Sequence, residues 1–208
     1  MNKIKVIQIT DSLNVGGTEV LAVNIANTFL DFDIESHFCT TRQEGFLKQK
    51  INKEVGYIHL KRKSIFDFKA LLKLKKYLKL NDINIMHVHS TSLFFASCLY
   101  IIHPKVKIFW HNHTGANVNL KGLKLLIIKT LTLCFANGII NVNEDLCSWS
   151  KKVLKHKNCI KLNNFPLFSD LEKKTVLKGT FNQHSWSIRL DVQKFCMAIR
   201  YYYEVEKN

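Results

Sequence analysis

"IKVIQITDSLNVGGTEVLAVNIANTF", residues 4–29, joins three unlike pieces: an apolar run, a glycine pair and a helical pattern. The first piece, Ile4–Thr10, is rich in β-branched residues and reads as a strand. In the third, over 18–30, Leu21, Ile25 and Phe29 fall four apart, so one side of a helix can pack inward. Asn24, Asn27 and Thr28 fall mainly on its other faces. Gly16 and Gly17 stand between them. Two glycines allow positive φ and close backbone approach. Thr18 is placed to cap the helix, whose unpaired N–H groups and positive dipole end suit a phosphate or another anion. The spacing is neither G-x-G-x-x-G nor a Walker loop, so the dinucleotide and P-loop fingerprints are excluded.

The same rhythm continues down the chain. Strands are expected at 34–41, 57–60, 83–89, 106–111, 138–142 and 159–162. Helices are expected at 65–80, 92–102, 120–136 and 144–155. Phe68, Leu71, Leu74 and Leu78 are expected on one side of the second helix. Thr91 or Ser92 can cap the third, and Asn143 the last. About seven strands alternating with helices predict an α/β class: a doubly wound, mostly parallel, Rossmann-like sheet. Ligands of such sheets sit outside the carboxyl ends of the strands. That rule selects residues 11–18, 87–92, 111–119 and 141–145. Beyond Pro166 the rhythm breaks. Residues 171–180 read as a linker and 190–203 as one helix, so a domain over 1–168 and an atypical tail over 169–208 are expected.

Charge narrows the partners. The 208 residues carry 31 Lys+Arg against 16 Asp+Glu, a formal charge of +15. Such a surface attracts polyanions. Residues 61–80 form one basic cluster, with Asp67 as their single acid. The plain reading is a solvated helix face, and the functional one a peripheral contact with an anionic membrane. Aromatics are not interleaved with these charges in a nucleic-acid-binding pattern, so no nucleic-acid partner is expected. The six cysteines form no C-x-x-C pair, and most lie in apolar runs, as free buried thiols do. A reducing cytoplasm is the expected location. No stretch reads as a signal peptide or a spanning helix.

Two histidine pairs carry the chemistry. His87 and His89 flank Val88 at one strand end, and His111 and His113 flank Asn112 at another. Residues two apart in a strand share a face, so each pair points one way. Four histidines in one crevice could hold a metal, but no carboxylate is spaced to join them, and Cys98 falls inside a helix. No metal and no cofactor is assigned.

These pieces together resemble the N-terminal domain of family-four GT-B glycosyltransferases, over about residues 1–168. The motifs are the glycine loop and its helix, "INIMHVHSTS" (83–92), "KIFWHNHT" (107–114), "ANGIINVNEDLCSW" (136–149) and "IKLNNFP" (160–166). The resemblance implies transfer of a sugar, of hexosyl type, from a nucleotide-sugar donor to a sugar or lipid-linked acceptor in surface polysaccharide or glycolipid assembly. It implies that Gly16, Gly17 and Thr18 approach the substrates and that His87 and His89 line the acceptor side. Asn143 and Glu144 join the substrate-binding positions. His113, with His111 as its rival, stands at the reaction centre, hydrogen-bonding to the acceptor or to developing charge rather than serving as an assigned base. The family's second domain has no counterpart in the sequence, so a truncated, weakly active or inactive enzyme is expected. The alternatives are a non-catalytic acceptor- or partner-binding module and an unrelated nucleotide-binding Rossmann-like protein.

Overall fold

A computed structural model describes residues 3–162, together with positions 193 and 197. The expected boundary at Pro166, the linker, the tail helix apart from those two positions, and Cys196 lie outside the described residues.

Seven parallel strands form one sheet in the order β3-β2-β1-β4-β5-β6-β7. They are β1 (Lys5–Ser12), β2 (Glu35–Gln43), β3 (Gly56–His59), β4 (Ile85–His89), β5 (Lys107–Asn112), β6 (Gly138–Asn141) and β7 (Cys159–Lys161). The helices are α1 (Gly17–Thr28), α2 (Phe68–Leu80), α3 (Leu93–Ile102), α4 (Gly122–Phe135) and α5 (Glu144–Lys152). From β1 the chain winds outward to β2 and β3, then returns through α2 to β4 on the other side of β1. The sheet's winding therefore reverses between β1 and β4. This is the switch point where an open α/β sheet leaves a crevice.

Side chains alternate across the sheet, and each face has its own core. Val6, Ile85, Phe109 and Ile140 pack with Leu21, Ile25 and Phe29 of α1. On the opposite face Ile9, Val88 and Trp110 pack with Leu71 and Leu74 of α2 and Phe95 and Leu99 of α3. Helix α4 and Trp149 of α5 complete that layer. Each buried Leu, Ile or Phe contributes about 1.5–3 kcal/mol.

Three local expectations are corrected. Asn24 and Thr28 are buried, because α1 packs on a second neighbour as well as the sheet. Leu47 and Val55 close over Ala22, Val23 and Ala26, and Asn27 binds the backbone of Lys50 and Asn52 at 2.9 Å each. Phe68 is 70% exposed instead of joining Leu71, Leu74 and Leu78. Asp67 caps α2 by accepting from Ala70 N–H, and the helix starts three residues later than its pattern suggests. Among the described cysteines, Cys39 and Cys147 are buried free thiols, whereas Cys134 is exposed on α4. Burial raises the Cys39 thiol far above its ordinary range.

Candidate functional site

The four histidines meet on the α1 face of the sheet. Register pairs His89 with His111 across β4 and β5, and the two-residue spacing brings His87 and His113 to the same side. His87 Nε2 lies 3.1 Å from His111 Nδ1, and His89 Nδ1 lies 2.9 Å from His113 Nε2. The His111 and His113 rings stack with centroids 4.0 Å apart. His87, His89 and His111 are closed to solvent, and His113 is half-buried at the rim. Burial, then the nearby charge of His113, holds His87 well below the ordinary imidazole range. Burial does the same to His89 and His111, with neighbouring histidines adding to it. All three are therefore neutral at pH 7.

Neutrality fixes the direction of one hydrogen-bond chain. Gln8, in the middle of β1, presents Oε1 to His89 Nε2 at 2.8 Å. A carbonyl oxygen only accepts, so His89 Nε2 carries the proton. His89 Nδ1 then bears a lone pair and accepts from His113 Nε2–H. When His113 is neutral, its basic lone pair is then on Nδ1. The chain from Gln8 through His89 selects the tautomer at the rim.

The resemblance sets His87 and His89 on the acceptor side and His111 as rival to His113 at the reaction centre. In the structure His87, His89 and His111 are buried and His113 stands at the rim. Gln8 is a site residue that the motifs did not flag. Its signal is a polar residue in the centre of an apolar strand, which calls for a buried partner.

A second cluster occupies the switch point itself. Asp11, at the end of β1, accepts from Thr41 Oγ1 at 2.6 Å, Arg62 Nη2 at 2.7 Å, Thr91 Oγ1 at 2.9 Å and Ser92 Oγ at 3.2 Å. The Arg62 guanidinium also lies 4.8 Å above the Phe95 ring. Burial alone would raise the Asp11 carboxyl. The three hydroxyls and Arg62 outweigh it and hold the group below its ordinary value. Two expectations change here. Ser92 is the N-cap residue of α3, but its hydroxyl, like that of Thr91, is spent on Asp11 instead of the helix. Arg62 is buried and leaves the basic face. Asp11 and Arg62 do not stand out in the sequence, since 51 residues separate them.

The glycine loop is plainer than expected. Gly16 is extended, with φ −160°, and is itself the N-cap of α1. Gly17 is the first helical residue, and neither has positive φ. Thr18 lies within the first turn and is not the cap. What the pair supplies is bareness at a helix N-terminus. Left-handed backbone appears instead at Ser90, with φ 48°, directly after His89. Trp110 Nε1–H donates to the Ser90 carbonyl at 2.9 Å and helps hold that turn.

Asn143 caps α5, accepting from Leu146 N–H at 2.8 Å. Glu144 is exposed and pairs with Lys161 at 3.3 Å. These contacts hold both residues at the start of α5 rather than in the histidine cluster. Asn112 ties the carboxyl ends of β5 and β6 together, with Asn117 Nδ2 donating to it at 2.6 Å and Asn141 within 3.5 Å.

As possible metal ligands, His87, His89 and His111 bring one nitrogen each within 4.8 Å of one another. Three imidazoles at that reach suit zinc. His111 Nε2 is buried without a hydrogen-bond partner, but both His89 nitrogens are engaged by Gln8 and His113, so a cation that drew on His89 would have to break the chain that leads to His113.

With this geometry in view, the similarity to known proteins becomes specific. The model of Glycosyltransferase Family 4 matches residues 15–156. The chain belongs to glycosyltransferase family 4. No curated protein matches it by sequence. Among solved structures it is similar to a glycosyltransferase from Rickettsia africae, at 12% identity and TM-score 0.53, over 78% of this chain and 43% of that one. It is also similar to Anabaena Alr3699/HepE in complex with UDP-glucose, at 13% identity and TM-score 0.57, over 77% and 44%. Sucrose-phosphate synthase from Thermosynechococcus elongatus matches at 10% identity and TM-score 0.57, over 77% and 48%. At these identities the likeness is one of fold. The family-four chain spans less than half the length of each of these proteins.

Proposed function

We propose that this family-four domain forms the acceptor half of a glycosyl-transfer site, taking a hexosyl group from a nucleotide-sugar to a sugar or lipid-linked acceptor. The observation that carries the reading is the Gln8–His89–His113 chain at the carboxyl edge of the sheet. It presents an imidazole of defined tautomer where the fold places ligands. A lone pair on His113 Nδ1 can accept from an acceptor hydroxyl as bonds change at the sugar. Protonated, the same nitrogen can stabilise developing negative charge. Gly16 and Gly17 would bring the backbone N–H groups of α1 toward donor phosphates. Asn143 and Glu144, at the start of α5, are the outer substrate positions. Residues 1–168 would be the acceptor domain and 169–208 its extension. UDP-glucose, bound by the Anabaena relative, is the first donor to try. Surface polysaccharide or glycolipid assembly at the inner face of a membrane is the setting, with 61–80 as a peripheral contact.

Transfer of labelled glucose from UDP-glucose to a lipid extract tests the reading. His113→Ala should abolish transfer while leaving the melting temperature within a few degrees. Transfer that survives the substitution unchanged removes His113 from the centre. A second reading, an acceptor-binding module without catalysis, is supported by the one-sidedness of the site, whose described groups all come from a single sheet. Acceptor binding with no donor turnover would favour it.

A further inference from the structure

Among the described residues no helix is long and apolar enough to cross a membrane. Two helices nonetheless show apolar side chains to solvent where lysines surround them. At the start of α2, Phe66 and Phe68 are 62% and 70% exposed, and Ile65 is half-exposed beside them. Lys61, Lys63 and Lys69 flank them and are exposed. The one acid of this stretch, Asp67, accepts N–H groups from Lys63 and Ala70. At the start of α4, Leu123 is 71% and Leu126 59% exposed, next to Ile127 and the exposed Lys121 and Lys124.

Helix α4 is apolar on two sides. Leu125, Ile128, Leu131 and Phe135 face the core. Leu123, Leu126, Ile127 and Leu133 repeat at helical spacing on the outside. An apolar stripe of that kind marks a surface that something covers. Charge says what. Between Asp82 and Glu144 the sequence contains no acidic residue, whereas lysines recur through it. A protein partner of mixed surface charge has no special fit to such a face. Apolar side chains ringed by cations of one sign fit anionic headgroups over acyl chains.

The fold sets both patches beside one helix, for α3 packs against both α2 and α4. In a parallel α/β sheet helices run against the strands, so both helix starts lie at the carboxyl edge, the end that carries His113.

We propose that the N-terminal turns of α2 and α4 form one docking face for an anionic lipid surface, with α3 between them. This extends the contact read from 61–80 to a second anchor and assigns the edge that faces the lipid. Its purpose rests on the reading of a lipid-linked acceptor, whereas the contact itself does not. Two weak anchors hold a protein to a membrane where one binds only marginally.

Co-sedimentation of the full 208-residue chain with vesicles tests it. Phosphatidylcholine vesicles containing phosphatidylglycerol should bind the chain roughly tenfold more tightly than phosphatidylcholine alone, and high salt should weaken the binding. The pair Phe66→Ser/Phe68→Ser should lower affinity roughly tenfold, and so should Leu123→Ser/Leu126→Ser. Circular dichroism and melting of both variants should match the parent, because all four side chains are exposed. Equal binding to neutral vesicles, no binding, or binding indifferent to both pairs overturns the proposal. So does a dimer that both pairs dissolve, since the face would then cover a second copy. No donor or acceptor is present in this assay. Absent transfer with intact vesicle binding strikes the transferase reading alone, and absent vesicle binding strikes the docking face alone.

Discussion

Two polar clusters share the carboxyl edge of the sheet and solve burial in opposite ways. Around Asp11 the charge is kept. Three hydroxyls, Arg62 and partial solvent access replace the water the carboxylate loses. Around His89 the charge is given up, and three imidazoles stay neutral beneath a fourth. The difference follows from what each cluster does. A carboxylate accepts from several directions at once, so Asp11 gathers the ends of β1 and β2, the approach to α2 and the turn after β4 into one rim. A neutral imidazole donates on one side and accepts on the other. It transmits direction, which is what fixes the tautomer of His113.

Acid should separate the clusters most sharply. The buried histidines have folded-state values depressed below 6.5. Unfolding frees them to bind protons, so stability is full above about pH 6.5 and falls as pH drops below it. By pH 5 the loss is up to about 2 kcal/mol for each histidine, the product of the pH difference and about 1.4 kcal/mol per unit. Asp11 has the opposite timing. Its folded value lies below 3.8, so its contribution persists through this window and fails only at lower pH. Urea unfolding between about pH 7.5 and 5 should show a steep decline in stability. A flat profile there would mean that the histidines are already charged in the fold, and the tautomer chain would go with them.

How far the sequence foretold this edge depends on the range of the interaction. All seven strands were legible, the central ones because buried parallel strands are rich in apolar residues and the edge strands β3 and β7 from short apolar runs between turn and helix signals. The histidine pairs were legible too, since period-two spacing and strand ends are local facts. Partners far along the chain were not. Gln8 and His89 are 81 residues apart, as are Ser92 and Asp11. No local spacing shows that a hydroxyl at a helix start will turn from the helix to a carboxylate. The same limit misplaced the surface: Arg62 looked like one more cation of a basic run until Asp11 was set beside it. In α4 apolar residues recur on more than one side, and only packing against α3 separates its inner residues from its outer ones.

A smaller test works on the histidine cluster alone. Gln8→Leu keeps the side chain's bulk and removes the acceptor of the His89 proton. Leaving that buried N–H unpaired should cost about 1–3 kcal/mol. A merely structural role for Gln8 ends there. If Gln8 sets the tautomer, the nitrogen-15 shifts of the His113 ring should also move toward a mixture of Nδ1–H and Nε2–H forms. Unchanged His113 shifts would show that the rim histidine chooses its own proton position.

The smallest effect on stability separates the two roles of the glycine pair most cleanly. A methyl group at Gly17 would meet nothing within 4 Å, and the residue is helical without positive φ. At Gly16 it would meet only the movable end of Glu19. Gly45 is different, for a methyl there would strike the backbone of Leu13, and that glycine serves the fold. Gly17→Ala should therefore leave stability unchanged or raise it by about 0.5–1 kcal/mol, the usual gain of alanine over glycine in a helix. Were the pair simply a turn, transfer from UDP-glucose would keep pace. If its bareness makes room for a ligand at the start of α1, transfer should fall roughly tenfold, the equivalent of about 1.4 kcal/mol, in a protein at least as stable as its parent. Folding leaves position 17 free to carry a side chain, so a loss of activity there would have to come from what binds.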